Sequence, residues 1–130
     1  MILPVTLSAS AAAAFLTIWL MIRCGRVRMQ RKILHGDGGD DLLARRMRAQ
    51  LNFVESAPFI LALIAGIELA GKGGLWLSVV AGLWVIARVL HPFGMDRTTE
   101  NYLRASGVII TALTLAGLAI YASLVASGMV

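Results

Sequence analysis

Four long apolar stretches limit what this chain can fold into. They cover Val5–Ile22, Ala49–Gly71, Leu75–Met95 and Ala105–Val130, and the first and last contain no charged residue. A helix needs about 20 mostly apolar residues to cross the hydrocarbon core of a bilayer, and each stretch comes close to that length. We therefore expect an all-α integral membrane protein, a bundle of four transmembrane helices. These helices should lie at about residues 4–34, 40–71, 74–94 and 99–127, in a single domain spanning residues 1–130.

The composition agrees with that expectation. Hydrophobic residues make up 58% of the chain and the mean hydropathy is +0.80, well above ordinary soluble usage. The lone Cys24 excludes an intrachain disulfide and is expected to be a buried, inert thiol. The Gly/Asp-rich connection at residues 35–41 is expected to cap helix 2 rather than to bind a metal. We expect the lipid bilayer as a partner, and no nucleic acid.

The distribution of basic residues predicts the orientation. Of the twelve Lys and Arg residues, only Lys72 lies on the side of the helix 2–3 connection. The positive-inside rule then places the other two connections in the cytosol and both termini outside. The basic cluster follows the first apolar stretch instead of preceding it, so helix 1 is expected to be a retained span and not a signal peptide. In a bacterium the protein would lie in the inner (cell) membrane.

A polar stripe interrupts helix 2. Arg48, Asn52 and Glu55 have the spacing of one helix face, with Arg45 a turn below them. Polar side chains are costly in a membrane and must meet partners or a ligand. Glu68, near the far end of the same helix, is expected to be an interface residue rather than a ligand.

Further cations are predicted at the same membrane interface. Arg88 and His91 share a face near the end of helix 3, while Arg28 and Arg104 come from helices 1 and 4. Four cations around Glu55 would repel one another unless an anion joined them. A buried ion-pair network that locks helix to helix is the alternative, and spacing alone leaves both open.

These residues resemble a known family. The pattern Arg48-Ala49-Gln50-x-Asn52-x-x-Glu55-x-x-Pro58, in a four-helix layout, is similar to that of the MAPEG family, the membrane-associated proteins of eicosanoid and glutathione metabolism. Within the family, it is close to the motif of leukotriene C4 synthase. The sequence Arg88-Val89-Leu90-His91, with Arg104 thirteen residues after His91, resembles prostaglandin E synthase more closely.

The resemblance implies a homotrimer that binds glutathione, as co-substrate, between neighbouring subunits at the cytosolic face. Arg104 would be the catalytic residue facing the glutathione sulfur. The residues that would line the tripeptide are Arg28, Arg48, Gln50, Asn52, Glu55, Arg88 and His91. Glutathione offers two carboxylates for the arginines, an ammonium for Glu55, and amides for Asn52 and Gln50.

Two departures from the family narrow the expected activity. Ser56 and Met95 stand where eicosanoid-synthesising members have tyrosines. We therefore expect a general glutathione S-transferase, or a glutathione peroxidase, acting on small hydrophobic electrophiles. Two alternatives stay open: a catalytically inactive trimer with a structural Arg/Glu network, and a small transporter in which charged residues line a pathway.

Overall fold

The computed structural model describes residues 1–130 and contains four α-helices and no strand. The helices are α1 (Pro4–Arg31), α2 (Asp41–Leu69), α3 (Leu75–Met95) and α4 (Tyr102–Ala126). All four are long and apolar enough to cross a membrane, judged by length and composition. The expectation of an all-α protein is confirmed, with four helices that are long and apolar enough to span a membrane.

Local sequence sets the helix ends. The Asp40 carboxylate accepts a hydrogen bond from the Leu43 N–H at 2.9 Å, so the predicted aspartate cap of α2 is confirmed. Asn101 caps α4 in the same way, and α4 therefore begins at Tyr102. At the end of α1, Lys32 takes the left-handed conformation with φ 55°, which stops the helix at Arg31.

The apolar core lies along the middle of the bundle. Phe53 of α2 and Trp84 of α3 stack with their ring centroids 6.2 Å apart. Small residues of α1, including Ala9 and Ala13, are buried against this core and allow the helices to approach closely. Helix α3 packs most extensively on α4, and α1 on α2.

The Glu68 carboxylate of α2 contacts the first turn of α1 at one end of the bundle. Its oxygens accept hydrogen bonds from the Val5 N–H at 3.0 Å, the Thr6 N–H at 2.8 Å and the Thr6 hydroxyl at 2.7 Å. The first turn of a helix has free N–H groups and a positive dipole end, both of which favour an anion. Glu68 thus caps α1 from α2, within one protomer.

Candidate functional site

Most of the charged side chains lie at the opposite end of the bundle from Glu68. Here α1 and α3 end while α2 and α4 begin. We call it the arginine end and define it by the arginines of all four helices, namely Arg23, Arg28, Arg46, Arg48, Arg88 and Arg104. Three different arrangements occur there: a buried cation, an exposed pair and a closed ion-pair network.

Arg88 is the buried cation. It is only 1% exposed, and its Nη1 donates to Asn52 Oδ1 at 3.0 Å and to Thr111 Oγ1 at 3.4 Å. The guanidinium lies over the Phe53 ring, 5.6 Å from its centroid. No carboxylate contacts it, and its Nε has no hydrogen-bond partner. Only the Asn52 amide, the Thr111 hydroxyl and the face of the Phe53 ring stabilise this charge. The surroundings of Arg88 therefore favour an anion.

His91 lies one turn further along α3 and is equally buried. Its Nδ1 is 3.1 Å from the backbone oxygen of Arg104. A carbonyl oxygen can only accept, so Nδ1 donates and the neutral ring keeps its lone pair on Nε2. Nε2 has no partner. His91 was predicted to line the tripeptide; its observed contact is with the backbone of the predicted catalytic residue.

Arg48 and Glu55 form the exposed pair on the outer face of α2. Their side chains are 59% and 50% exposed, and Arg48 Nη1 lies 3.8 Å from Glu55 Oε1. An exposed pair at this distance contributes little to stability. Arg104, at the start of α4, is also exposed and has no side-chain hydrogen bond or salt bridge. These charges are therefore open to other partners.

Gln50 and Arg28 meet other groups within the protomer. Gln50 Oε1 accepts from the Cys24 thiol at 3.6 Å. Arg28 Nη1 donates to the Gly36 carbonyl at 2.8 Å, and its Nη2 lies 3.4 Å from the sulfur of Met47. A shallow groove of about 420 Å³ runs along this outer face of α2, and both Arg48 and Gln50 line it.

One protomer does not gather the predicted site residues into a single pocket. It brings together Arg48 with Glu55 and Asn52 with Arg88, and it joins His91 to the backbone of Arg104. The predicted single stripe on α2 is split, because Asn52 turns inward to α3 while the two charged residues face outward.

The sequence analysis missed a closed network around Asp96. Asp96 Oδ2 accepts from Arg23 Nη2 and, at 3.3 Å, from Arg46 Nη2, while Oδ1 accepts from Arg46 Nε at 3.3 Å. Arg46 Nη1 also donates to the Arg23 carbonyl at 3.0 Å. The Arg23 guanidinium lies over the rings of Trp19 and Phe93, at 5.0 Å and 5.4 Å. This network ties α1 and α2 to the end of α3.

Comparison with known proteins identifies the family of the chain. The model of the MAPEG family matches residues 6–124. The inner membrane protein YecN of Escherichia coli K12 is 32% identical over 107 residues, which cover 78% of this chain and 80% of YecN. YecN of E. coli O6:H1 matches with the same identity and coverage. Together with the four apolar helices, these matches make the chain a multi-pass membrane protein.

Proposed function

The chain belongs to the MAPEG family, and from that premise we propose that it binds glutathione and activates its thiolate. The activated thiolate is conjugated to small hydrophobic electrophiles, or reduces them. The binding site lies between subunits of a homotrimer, at the arginine end, which faces the cytosol. Both chain termini then lie outside.

The observation that carries the proposal is the exposure of Arg48, Glu55 and Arg104 on membrane-spanning helices. Placing an arginine at the centre of such a helix costs about 2.5–3.5 kcal/mol, and less near the interface. A second subunit covering these surfaces, with a charged ligand between the two, removes that cost. The Asp96 network needs no such partner, because both of its arginines contact the Asp96 carboxylate within the protomer.

The chemistry of the exposed and buried groups matches glutathione. Guanidinium groups bind carboxylates through two parallel hydrogen bonds, which suits Arg48 and the two carboxylates of the tripeptide. We propose that Glu55 binds the ammonium group, and that the amides of Gln50 and Asn52 bind the peptide links. Arg88 adds a buried positive charge that no carboxylate of the protomer neutralises.

We assign to Arg104 the role of stabilising the thiolate of bound glutathione. A free thiol has a pKa near ~8.5, so little glutathione is ionised at neutral pH. A guanidinium about 4 Å from the sulfur stabilises the thiolate by about 4 kcal/mol at an effective dielectric of ~20. That energy corresponds to a fall of at most about 3 units in the pKa of the glutathione thiol, and to less after desolvation. Arginine stays charged throughout, so Arg104 acts electrostatically and not as a base.

The bonds made and broken depend on the electrophile. With an aryl halide, the thiolate forms a C–S bond at the ring carbon, the halide leaves, and the thiol proton goes to solvent. With an organic hydroperoxide, two glutathione molecules are oxidised to the disulfide while the hydroperoxide is reduced to an alcohol and water. Both reactions begin with the same thiolate.

The assembly is tested by light scattering in mild detergent. A homotrimer is expected, since it covers the exposed charges of α2 and α4. A stable, monodisperse monomer would contradict the proposed site between subunits.

The activity is tested with purified protein, glutathione and a chromogenic aryl halide, beside calorimetric titration with glutathione. Saturable binding and turnover above the uncatalysed rate are expected. A parallel assay with a hydroperoxide separates transferase from peroxidase activity. Absence of both binding and turnover would contradict the proposal.

A further inference from the structure

One side-chain amide joins the end of α3 to the start of α4. Asn101 Nδ2 donates to the Gly94 carbonyl at 2.9 Å, and Asn101 Oδ1 accepts from the Arg104 N–H at 3.1 Å. Capping α4 needs only an acceptor, which Ser or Asp would also supply. The second bond needs a donor on the same side chain, and an amide provides both. Asn101 therefore does more than start a helix.

Glycines bring the two helices into direct contact at this point. A Cβ on Gly94 would lie 2.4 Å from the Arg104 nitrogen and 2.7 Å from Asn101 Oδ1. One turn further along α4, a Cβ on Gly107 would lie 2.6 Å from the Cβ of His91. Neither position has room for a side chain, so the crossing of α3 and α4 depends on both glycines.

The backbone of Arg104 is thus held on three sides. Its N–H donates to Asn101, its carbonyl accepts from His91 Nδ1, and Gly94 packs against its nitrogen and Cα. We call these three residues, Gly94, Asn101 and His91, the Arg104 clamp. The Arg104 side chain, in contrast, is exposed and has no polar partner. The clamp fixes where the Cα–Cβ bond points and leaves the guanidinium free to meet a ligand.

We propose that the Arg104 clamp holds the Cα–Cβ bond of Arg104 in the direction from which its guanidinium reaches the glutathione sulfur. This inference rests on the proposed function. Gly94, Asn101 and His91 are then positioning residues, and the role of His91 is to hold the Arg104 carbonyl. A displacement of about 1 Å in a catalytic group lowers the rate by up to about a hundredfold. Small movements of α4 therefore change the reaction rate.

The test compares clamp variants with a matched control. Gly94→Ala forces α3 away from Arg104. Asn101→Ala removes all three hydrogen bonds of the amide, to Gly94, Thr99 and Arg104. Gly82→Ala, also on α3, is the control, because a Cβ built there meets no atom of another helix within 4 Å. For each variant we would measure kcat with an aryl halide, the Kd of glutathione, the melting temperature and the pH at which bound glutathione ionises. Ionisation is followed by ultraviolet thiolate absorbance.

We expect kcat to fall about tenfold to a hundredfold in both clamp variants. The Kd should change little, and the thiol should ionise at a higher pH. Gly82→Ala should match wild type. Asn101→Ser separates capping from aiming: serine caps well but is too short to reach the Gly94 carbonyl as well. It should restore the melting temperature while leaving kcat low.

A purely structural role gives a different pattern. The inference is overturned if Asn101→Ser restores kcat together with stability, or if the clamp variants keep the wild-type kcat and thiolate titration. If Gly94→Ala fails to assemble, the comparison of Asn101→Ala with Asn101→Ser decides the outcome. An active wild-type protein with unaffected clamp variants contradicts the clamp alone. A wild-type protein that neither binds nor turns over glutathione contradicts the proposed function and the clamp with it.

Discussion

The two ends of the bundle treat charge in opposite ways. At one end, Glu68 accepts three hydrogen bonds from the first turn of α1, all within the protomer. At the arginine end, Arg48, Glu55 and Arg104 stay exposed, and Arg88 is buried without a carboxylate. The first arrangement stabilises the protomer. The second leaves Arg88 and Arg104 without a carboxylate and the Arg48–Glu55 pair exposed, and so it is where a ligand is expected.

The same contrast repeats within the arginine end. Asp96 is shared between Arg23 and Arg46, and its side chain is 27% exposed. The Arg48–Glu55 pair is more exposed and longer, at 3.8 Å. If the account is right, substitutions in the closed network should affect stability, and substitutions in the open pair should affect binding.

The largest effect on stability is expected from Asp96→Ala. The substitution leaves the buried Arg23 and the half-buried Arg46 without their carboxylate, and breaking one side of a buried ion pair costs about 3 kcal/mol or more. Thermal unfolding in detergent measures the loss. Glu100→Ala, which removes an exposed carboxylate near the same loop, is the control and should unfold like wild type. Equal melting temperatures for the two variants would show that the network contributes no stability.

The open pair should show the reverse behaviour. Arg48→Ala and Glu55→Ala each remove one partner of a charge-assisted hydrogen bond to glutathione. Each should weaken binding by about 2 kcal/mol, which is about 30-fold in Kd. The melting temperature without ligand should hardly change, because exposed pairs contribute little. Unchanged calorimetric titrations in both variants would mean that the pair has no role in binding.

The sequence was sufficient to predict the fold and some of the charged residues at the arginine end. The length and polarity of four apolar stretches predict four membrane helices, since few other structures accommodate them. The helix 2 pattern also predicts the family. Periodicity could not tell that Asn52 faces α3 while Arg48 and Glu55 face outward, because helix packing decides which edge of a stripe is covered.

The Asp96 network could not be predicted from the sequence, for a more general reason. Its carboxylate lies 50 and 73 residues away in sequence from the two arginines it joins. No local spacing connects residues so far apart. The Arg104 clamp depends on the same kind of information, because Gly94 and Gly107 matter only once α3 and α4 are seen to cross there.

A smaller effect is expected at the other end of the bundle. Glu68→Gln keeps an oxygen acceptor for the first turn of α1 but loses the negative charge that the helix dipole favours. The melting temperature should fall, by less than in Asp96→Ala. The Kd of glutathione should remain that of wild type, since the site lies at the arginine end. Weakened glutathione binding in Glu68→Gln would show that the two ends do not act separately.

Thiolate absorbance of bound glutathione tests the central claim most directly. Wild-type protein saturated with glutathione at neutral pH should show the ultraviolet band of a thiolate, because a nearby guanidinium lowers the pKa of the thiol. Arg104→Ala should still bind glutathione by calorimetry, but without that band and without turnover. An Arg104→Ala protein that ionises and conjugates glutathione like wild type would contradict the account.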